Sequence, residues 1–241
     1  MTIDLFISCV MDQFYPETAK NVMKILDAAC VDVEYNPEQT CCGKFAFTSG
    51  FVEEAKELGE KFLNDFPNDR PIVGVSASCV GYIKTRYQEL FYNTASHLEF
   101  KRVVRNIYEL TDFLVNKIKV VDFGAEFDHK VVYQDTCCSL RELGLKDEGR
   151  KLLSHVRGLE LLEMKRPEIC CGFGGGFFSI QHEAICRYGR EKNQRRDGNR
   201  RVIYRHKRHL MPYAARQLYQ KTKVRYSGAA YSRCSCSENL E

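Results

Sequence analysis

The stretch Pro71-Ile72-Val73-Gly74-Val75-Ser76-Ala77-Ser78-Cys79 reads as a short buried strand that delivers the chain, at its C-terminal end, to a thiol. An apolar run without charge, opened by a proline, fits a strand covered on both faces rather than one lying on a surface. Before it, Val52 to Phe66 has helical spacing, with Leu58, Phe62 and Leu63 turned inward; after it, Tyr82 to Phe91 reads as a second helix. A buried strand between two helices points to a parallel α/β sheet. Ligands of such sheets gather beyond the C-terminal strand ends, which is where Cys79 falls.

The same alternation extends in both directions. Ile3-Asp4-Leu5-Phe6-Ile7 reads as a strand with Cys9 at its end. Pro16-Glu17 opens a helix through about Ala29, with Val22, Ile25, Leu26 and Ala29 on one face. Val31 to Tyr35 alternates as a strand, and Cys41-Cys42-Gly43 follows in a turn. Val103 to Val115 reads as a linking helix. Lys130 to Gln134 is a strand ending near Cys137, Arg141 to about His155 a helix broken near Gly144, and Gly158 to Glu163 a strand leading to Cys170-Cys171-Gly172.

The cysteine spacing shows that this is one unit written twice. Cys9 stands 31 intervening residues before Cys41, and Cys137 stands 32 before Cys170. The expected architecture is therefore α/β, with two pseudo-repeated, Rossmann-like parallel-sheet halves and cysteines at strand C-terminal ends. Residues 1–100 form the first repeat, 101–128 a linking helical region, 129–186 an incomplete second repeat and 187–241 an atypical basic tail.

Composition narrows the chemistry. The chain has 241 residues, 44% apolar and 28% charged, which is ordinary for a globular protein. No apolar run reaches the roughly 18 residues of a membrane span. The opening Met1-Thr2-Ile3-Asp4-Leu5-Phe6 lacks a basic region, which argues against a signal peptide and for a cytoplasmic location. In a reducing cytosol the 12 cysteines read as metal or redox ligands rather than disulfides.

Two thiolate sets emerge. The first is Cys9, Cys41, Cys42 and Cys79; the second is Cys137, Cys170, Cys171 and an expected partner further on. Structural zinc favours short Cys-x2-4-Cys knuckles, and neither set has one. Adjacent thiolates crowd one small tetrahedral ion but can serve different irons of a larger cluster, so iron–sulfur is the preferred reading over zinc. Gly43 and Gly172 would let the backbone pass close to it. Packing as small hydrophobes accounts for Cys30 and Cys186 but not for a repeated spacing. Gly172-Phe173-Gly174-Gly175-Gly176 lacks the Gly-Lys-Ser/Thr ending of a phosphate loop. His97, His129 and His155 read as surface or structural residues. Asp135 reads as orienting the turn before Cys137 through side-chain hydrogen bonds.

These motifs carry a resemblance. Leu5-Phe6-Ile7-Ser8-Cys9, Thr40-Cys41-Cys42-Gly43, Ser76-Ala77-Ser78-Cys79-Val80, Tyr133-Gln134-Asp135-Thr136-Cys137 and Cys170-Cys171-Gly172-Phe173-Gly174-Gly175 resemble the cysteine-rich (CCG) domain family. That family includes a heterodisulfide reductase component and the glycolate oxidase iron–sulfur subunit. The chain is similar in particular to its lactate utilisation protein A group, over about residues 1–186. The resemblance implies a cytosolic oxidoreductase component that works with two partner proteins to oxidise L-lactate to pyruvate, its clusters (4Fe-4S the expected form) carrying electrons. The implied ligands are Cys9, Cys41, Cys42, Cys79, Cys137, Cys170 and Cys171. Ser76 stands where the heterodisulfide reductase branch has the first Cys of a Cys-x-x-Cys pair, which leaves four ligands in repeat one. Cys138 stands where relatives more often carry another residue, and it is not counted as a ligand. No general base is identifiable, so no catalytic residue is assigned. The rival readings are a heterodisulfide- or glycolate-type iron–sulfur subunit and, from a different class, a zinc-stabilised scaffold or nucleic-acid binder.

The tail departs from this pattern. Residues 1–186 carry 21 Lys and Arg against 28 Asp and Glu, whereas residues 187–241 carry 15 against 4. No cysteine lies between Cys186 and Cys234, so repeat two lacks a counterpart of Cys79 and its site is expected to be impaired. Arg195-Arg196-Asp197-Gly198-Asn199-Arg200-Arg201 stands where a strand is expected. A phosphate-contacting extension, a solvated tail and translation out of frame each account for it. The third is preferred: a one-base shift lets His209-Leu210-Met211-Pro212 read Thr-Ser-Cys-Leu. The nucleotide sequence of the gene decides this. The Tyr and Phe content reads as core rather than a base-stacking platform, which argues against nucleic acid as a partner.

Overall fold

The structure is a computed structural model that describes residues 1–164, 167 and 168. Cys170 and Cys171, the glycine-rich loop and the basic tail lie outside the described residues.

The first half is built on four parallel strands in the order β2-β1-β3-β4, with β1 Thr2–Phe6, β2 Asp32–Glu34, β3 Ile72–Gly74 and β4 Ile107–Glu109. Side chains alternate across a strand, and β1 and the chain just beyond it divide accordingly. Ile3, Leu5 and Ile7 enter one core, while Phe6 enters the other. β3 does the same, with Ile72 on the Phe6 side and Val73 on the opposite side. Helices cover both faces. Those on the Phe6 face are α4 (Val52–Asp65), α5 (Ala77–Phe91) and α6 (His97–Asn106). The other face carries α1 (Cys9–Phe14), α2 (Pro16–Ala28) and α7 (Leu110–Asp112), which continues directly as a π-helical turn over Phe113–Lys117. This is the doubly covered parallel sheet that the uninterrupted apolar run 71–75 implies.

Aromatic rings dominate the first core. Phe6 meets Phe62 edge-on at 4.8 Å between centroids, and Tyr87 stands edge-on to Tyr82 at 5.5 Å and to Phe91 at 5.3 Å. Such edge-to-face pairs add about 0.5–1.5 kcal/mol beyond their buried area.

The structure differs from the sequence reading at several elements. The expected linking helix over Val103–Val115 is interrupted by β4, which pairs with β3 and completes the first sheet. The expected boundary after residue 100 falls inside α6. Helix α5 starts at Ala77 rather than Tyr82, and two short helices, α1 and α3 (Lys44–Thr48), begin at or just after cysteines.

The described part of the second half comprises β5 (Glu126–Tyr133) and β6 (Arg157–Glu163), paired in parallel, with α8 (Cys137–Glu142) and α9 (Glu148–Ser154) between them. Gly144, at φ +70, ends the α8 region in a conformation that favours glycine, as the expected helix break requires. Helix α8 packs against α5, and α9 against α7 and the π-helical turn.

Glu109, at the end of β4, is 5% exposed. Its carboxylate accepts hydrogen bonds from the backbone N–H of Thr111 at 2.8 Å and from the Thr111 hydroxyl. Burial nevertheless dominates and pushes its pKa up from the ordinary 4.5 to about 7. The folded state therefore keeps this proton longer than the unfolded chain does. The resulting stability is complete below about pH 4.5 and lost as pH rises through 7, an effect on the order of 3 kcal/mol. Glu109→Gln keeps an oxygen for the Thr111 donors without the charge. The variant is expected to flatten the pH dependence of the urea midpoint between pH 5 and 8 and to be the more stable protein at pH 8. Parallel pH profiles for the two proteins would refute this.

Candidate cysteine site at the sheet edge

Cys9, Cys41, Cys42 and Cys79 come together beyond the C-terminal ends of β1, β2 and β3. Cys9 is the first residue of α1 and Cys79 lies in the first turn of α5, so each stands just past the C-terminal end of its strand, in the opening turn of the helix that follows. Cys41 and Cys42 stand in the turn that leads from β2 to α3.

Three side chains that the sequence reading did not select build this turn. The Gln39 amide bridges to β1: its Oε1 accepts from the Ile7 N–H at 2.8 Å, and its Nε2 donates to the Leu5 carbonyl at 3.2 Å. The Tyr87 hydroxyl, buried in the aromatic core, donates to the Cys42 carbonyl at 3.0 Å. Lys44 donates to the Ser78 carbonyl at 2.9 Å, joining the turn to the start of α5. Gly43 has φ +85, and a Cβ there would lie 2.7 Å from the Ala55 carbonyl oxygen. Backbone that dense leaves room only for glycine, which explains the third letter of the triplet.

The four thiols influence one another's ionisation in sequence, Cys9 with Cys41, Cys41 with Cys42 and Cys42 with Cys79. Cys41 exchanges side-chain hydrogen bonds with Cys42 and with Cys9, and Cys42 with Cys79. The bonds from Cys42 and Cys9 hold the Cys41 thiol well below its ordinary range, helped by the Gly43 N–H. Cys79 is also held down, first by Cys42, then by Ser76 and the charge of Lys44. Cys9 and Cys42 are pushed up, both chiefly through their bonds to Cys41. The site thus pairs thiolate-favouring positions with thiol-favouring ones. Cys42 is buried, and the other three are half-buried.

Among the described residues, no group of three or more His, Cys, Asp or Glu side chains is set to hold a single metal ion. The donor set itself, four soft sulfurs with two favouring the thiolate, suits an iron–sulfur cluster, whose irons take separate thiolates. A cluster bound there would take the place of the thiol–thiol hydrogen bonds.

In the second half, Cys137 begins α8 and is hydrogen-bonded to Cys138. The Thr136 hydroxyl caps that helix by accepting from the Ser139 N–H at 3.2 Å. Asp135 does not shape the turn through local bonds as expected; it is buried in an ion pair with Arg150 of α9 at 2.7 Å. Among the described residues, His97 packs on Tyr92 and Phe100, His129 stacks on Phe127, and His155 bonds the Lys151 carbonyl.

A parallel sheet covered on both faces, with paired and lone cysteines beyond its strand ends, defines a class of protein, and comparison with known families identifies it. The model of the CCG cysteine-rich domain matches residues 3–84 and 131–203, and the chain belongs to that family. The second match runs past residue 186, into the basic segment. The chain is 39% identical to Lactate utilization protein A of Geobacillus kaustophilus over 178 residues, which are 73% of this chain and 74% of that protein. It is 38% identical to Lactate utilization protein A of Oceanobacillus iheyensis over 196 residues, 80% of each. Lactate utilization protein A 2 of Bacillus cereus is 38% identical over 183 residues, 73% of this chain and 74% of that protein.

Proposed function

We propose that the chain is the iron–sulfur component of a cytoplasmic lactate utilisation system and works with two partner proteins to oxidise L-lactate to pyruvate. The observation that carries this reading is the convergence of Cys9, Cys41, Cys42 and Cys79 at one sheet edge, in a chain whose relatives are named Lactate utilization protein A. Cys9, Cys41, Cys42 and Cys79 would hold one cluster; Cys137, Cys170 and Cys171 would contribute to a second. An iron–sulfur cluster, when bound, accepts and passes single electrons. Lactate oxidation releases two electrons and two protons, and this chain's share is to receive the electrons. Its residues serve that role by binding and by exclusion: Gln39, Gly43 and Tyr87 fix the thiol-bearing turn, and the aromatic core behind Cys42 keeps water from that side. Among the described residues, no helix is long and apolar enough to cross a membrane.

The test is anaerobic purification with assay of iron and acid-labile sulfide and an EPR spectrum on reduction, followed by lactate-dependent reduction of a dye with the partner proteins added. A brown protein with iron and sulfide in similar amounts, reduced by lactate only in the presence of partners, is expected. A colourless protein that holds zinc and binds DNA in a salt-sensitive way would overturn the reading.

A further inference from the structure

Lys44 belongs to no cysteine motif, yet the two halves of the chain meet through it at the thiols. It directly follows Gly43 and opens α3, so its backbone is part of the Cys-Cys-Gly turn. Its side chain points across the site to the other half. The Nζ donates to the carbonyl of Ser78, the residue before Cys79, at 2.9 Å. The same Nζ lies 3.7 Å from Cys138 Sγ and 3.7 Å from the Glu142 carboxylate, both on α8. The ammonium is 24% exposed and Glu142 is 33% exposed, so water screens this contact only in part. An ammonium has three donors and no fixed fork, which suits three acceptors of unlike geometry. Helix α8 sits close beneath: a Cβ on Gly81 of α5 would fall on the Glu142 side chain.

The arrangement leaves one positive charge between α8 and the turn and helix start that carry the first thiol set. Its Nζ lies against Cys138 Sγ on one side and against the carbonyl of the residue before Cys79 on the other.

We propose that Lys44 is a positioning residue where the two halves meet: its ammonium clamps α8, and with it Cys137 and Cys138, against the turn and the α5 start that carry Cys41, Cys42 and Cys79, and it supplies the compensating charge beside the first site. The clamp rests on the described contacts alone. The charge role rests on the iron–sulfur reading of the first site. A cluster held by four thiolates is an anion, and one-electron reduction makes it more negative. A neighbouring cation therefore stabilises the reduced form more than the oxidised form. Removing it lowers the midpoint potential.

The test uses the full chain as Lys44→Met, which keeps the stem and loses the charge, and Lys44→Arg, which keeps the charge. Hydrogen exchange of the cluster-free protein reports the clamp: amides of α8 are expected to exchange about tenfold faster in Lys44→Met, with Lys44→Arg close to wild type. A redox titration followed by EPR on the iron-loaded protein reports the charge: the potential is expected to fall in Lys44→Met at unchanged iron content and to be largely restored in Lys44→Arg. Unchanged exchange in α8 overturns the clamp, and an unchanged potential at full iron content overturns the charge role. Wild-type protein that takes up no iron overturns the iron–sulfur reading and leaves the exchange result standing on its own. Should Lys44→Met fail to fold, Glu142→Gln, which removes only the partner carboxylate, is expected to speed exchange in α8 as well.

Discussion

Cys42→Ser protein, reconstituted with iron and sulfide without oxygen, is expected to retain little of the cluster at the first site, with affinity down at least about tenfold. Residues that merely orient a metal ligand typically cost 10–100-fold when lost, and a bridging sulfur in the middle of the donor set should cost no less. Cys42 is one of the two inner thiols, next to Cys41 on one side and Cys79 on the other, and it is the most buried of the four. A serine hydroxyl there is a hard donor in a soft set. Because it is close in size, the fold should hold: the Tyr87 bond goes to the Cys42 carbonyl, which the substitution leaves in place. Far-ultraviolet circular dichroism should be unchanged while iron and sulfide fall together. Equal iron content in Cys42→Ser and wild type would remove Cys42 from the ligand set.

Arg150→Leu is expected to destabilise the chain by about 3 kcal/mol, the usual consequence of stranding one partner of a buried ion pair. The Arg150 guanidinium reaches Asp135 at 2.7 Å and Glu163 at 2.7 Å, and lies 4.7 Å from the centre of the Tyr133 ring. Asp135 is nearly fully buried, whereas Glu163 is half exposed, so the cost falls mainly on Asp135. The pair ties β6 and α9 to the residue two before Cys137. Leucine fills part of the volume and isolates the electrostatic loss. The double variant Arg150→Leu with Asp135→Asn should regain much of the stability, because no uncompensated charge remains. Urea unfolding of the cluster-free proteins measures both, and a double variant no better than the single one would show that packing rather than charge sets the cost.

These expectations draw on different parts of the sequence, and the parts were not equally readable. The strands β1, β3, β5 and β6 were legible because their apolar runs or alternation are local signals. β4 was not, since Ile107-Tyr108-Glu109 lies inside a segment of helical periodicity; parallel pairing with β3, more than 30 residues earlier, makes it a strand. The helices α1 and α3, at 6 and 5 residues, are too short to show a period. The thiols of the first site were legible because their spacing recurs. Gln39, Lys44 and Tyr87 were not: each acts through a contact made 30 or more residues away, as with Tyr87 and Cys42 at a separation of 45. Asp135 was noticed for its position but assigned a local role, because its partner Arg150 is brought to it only by the packing of α9.

The strand order has a mechanical corollary. β1 and β3 lie inside the sheet, hydrogen-bonded along both edges, and they deliver Cys9 and Cys79. Those two sulfurs are the fixed jaw of a vice, since parting them means tearing the sheet. Cys41 and Cys42 ride on a turn held by a glutamine amide, a tyrosine hydroxyl and a lysine, which makes it the sliding jaw. The inner pair is thus placed by three side-chain hydrogen bonds and the Gly43 turn, the outer pair by the sheet itself.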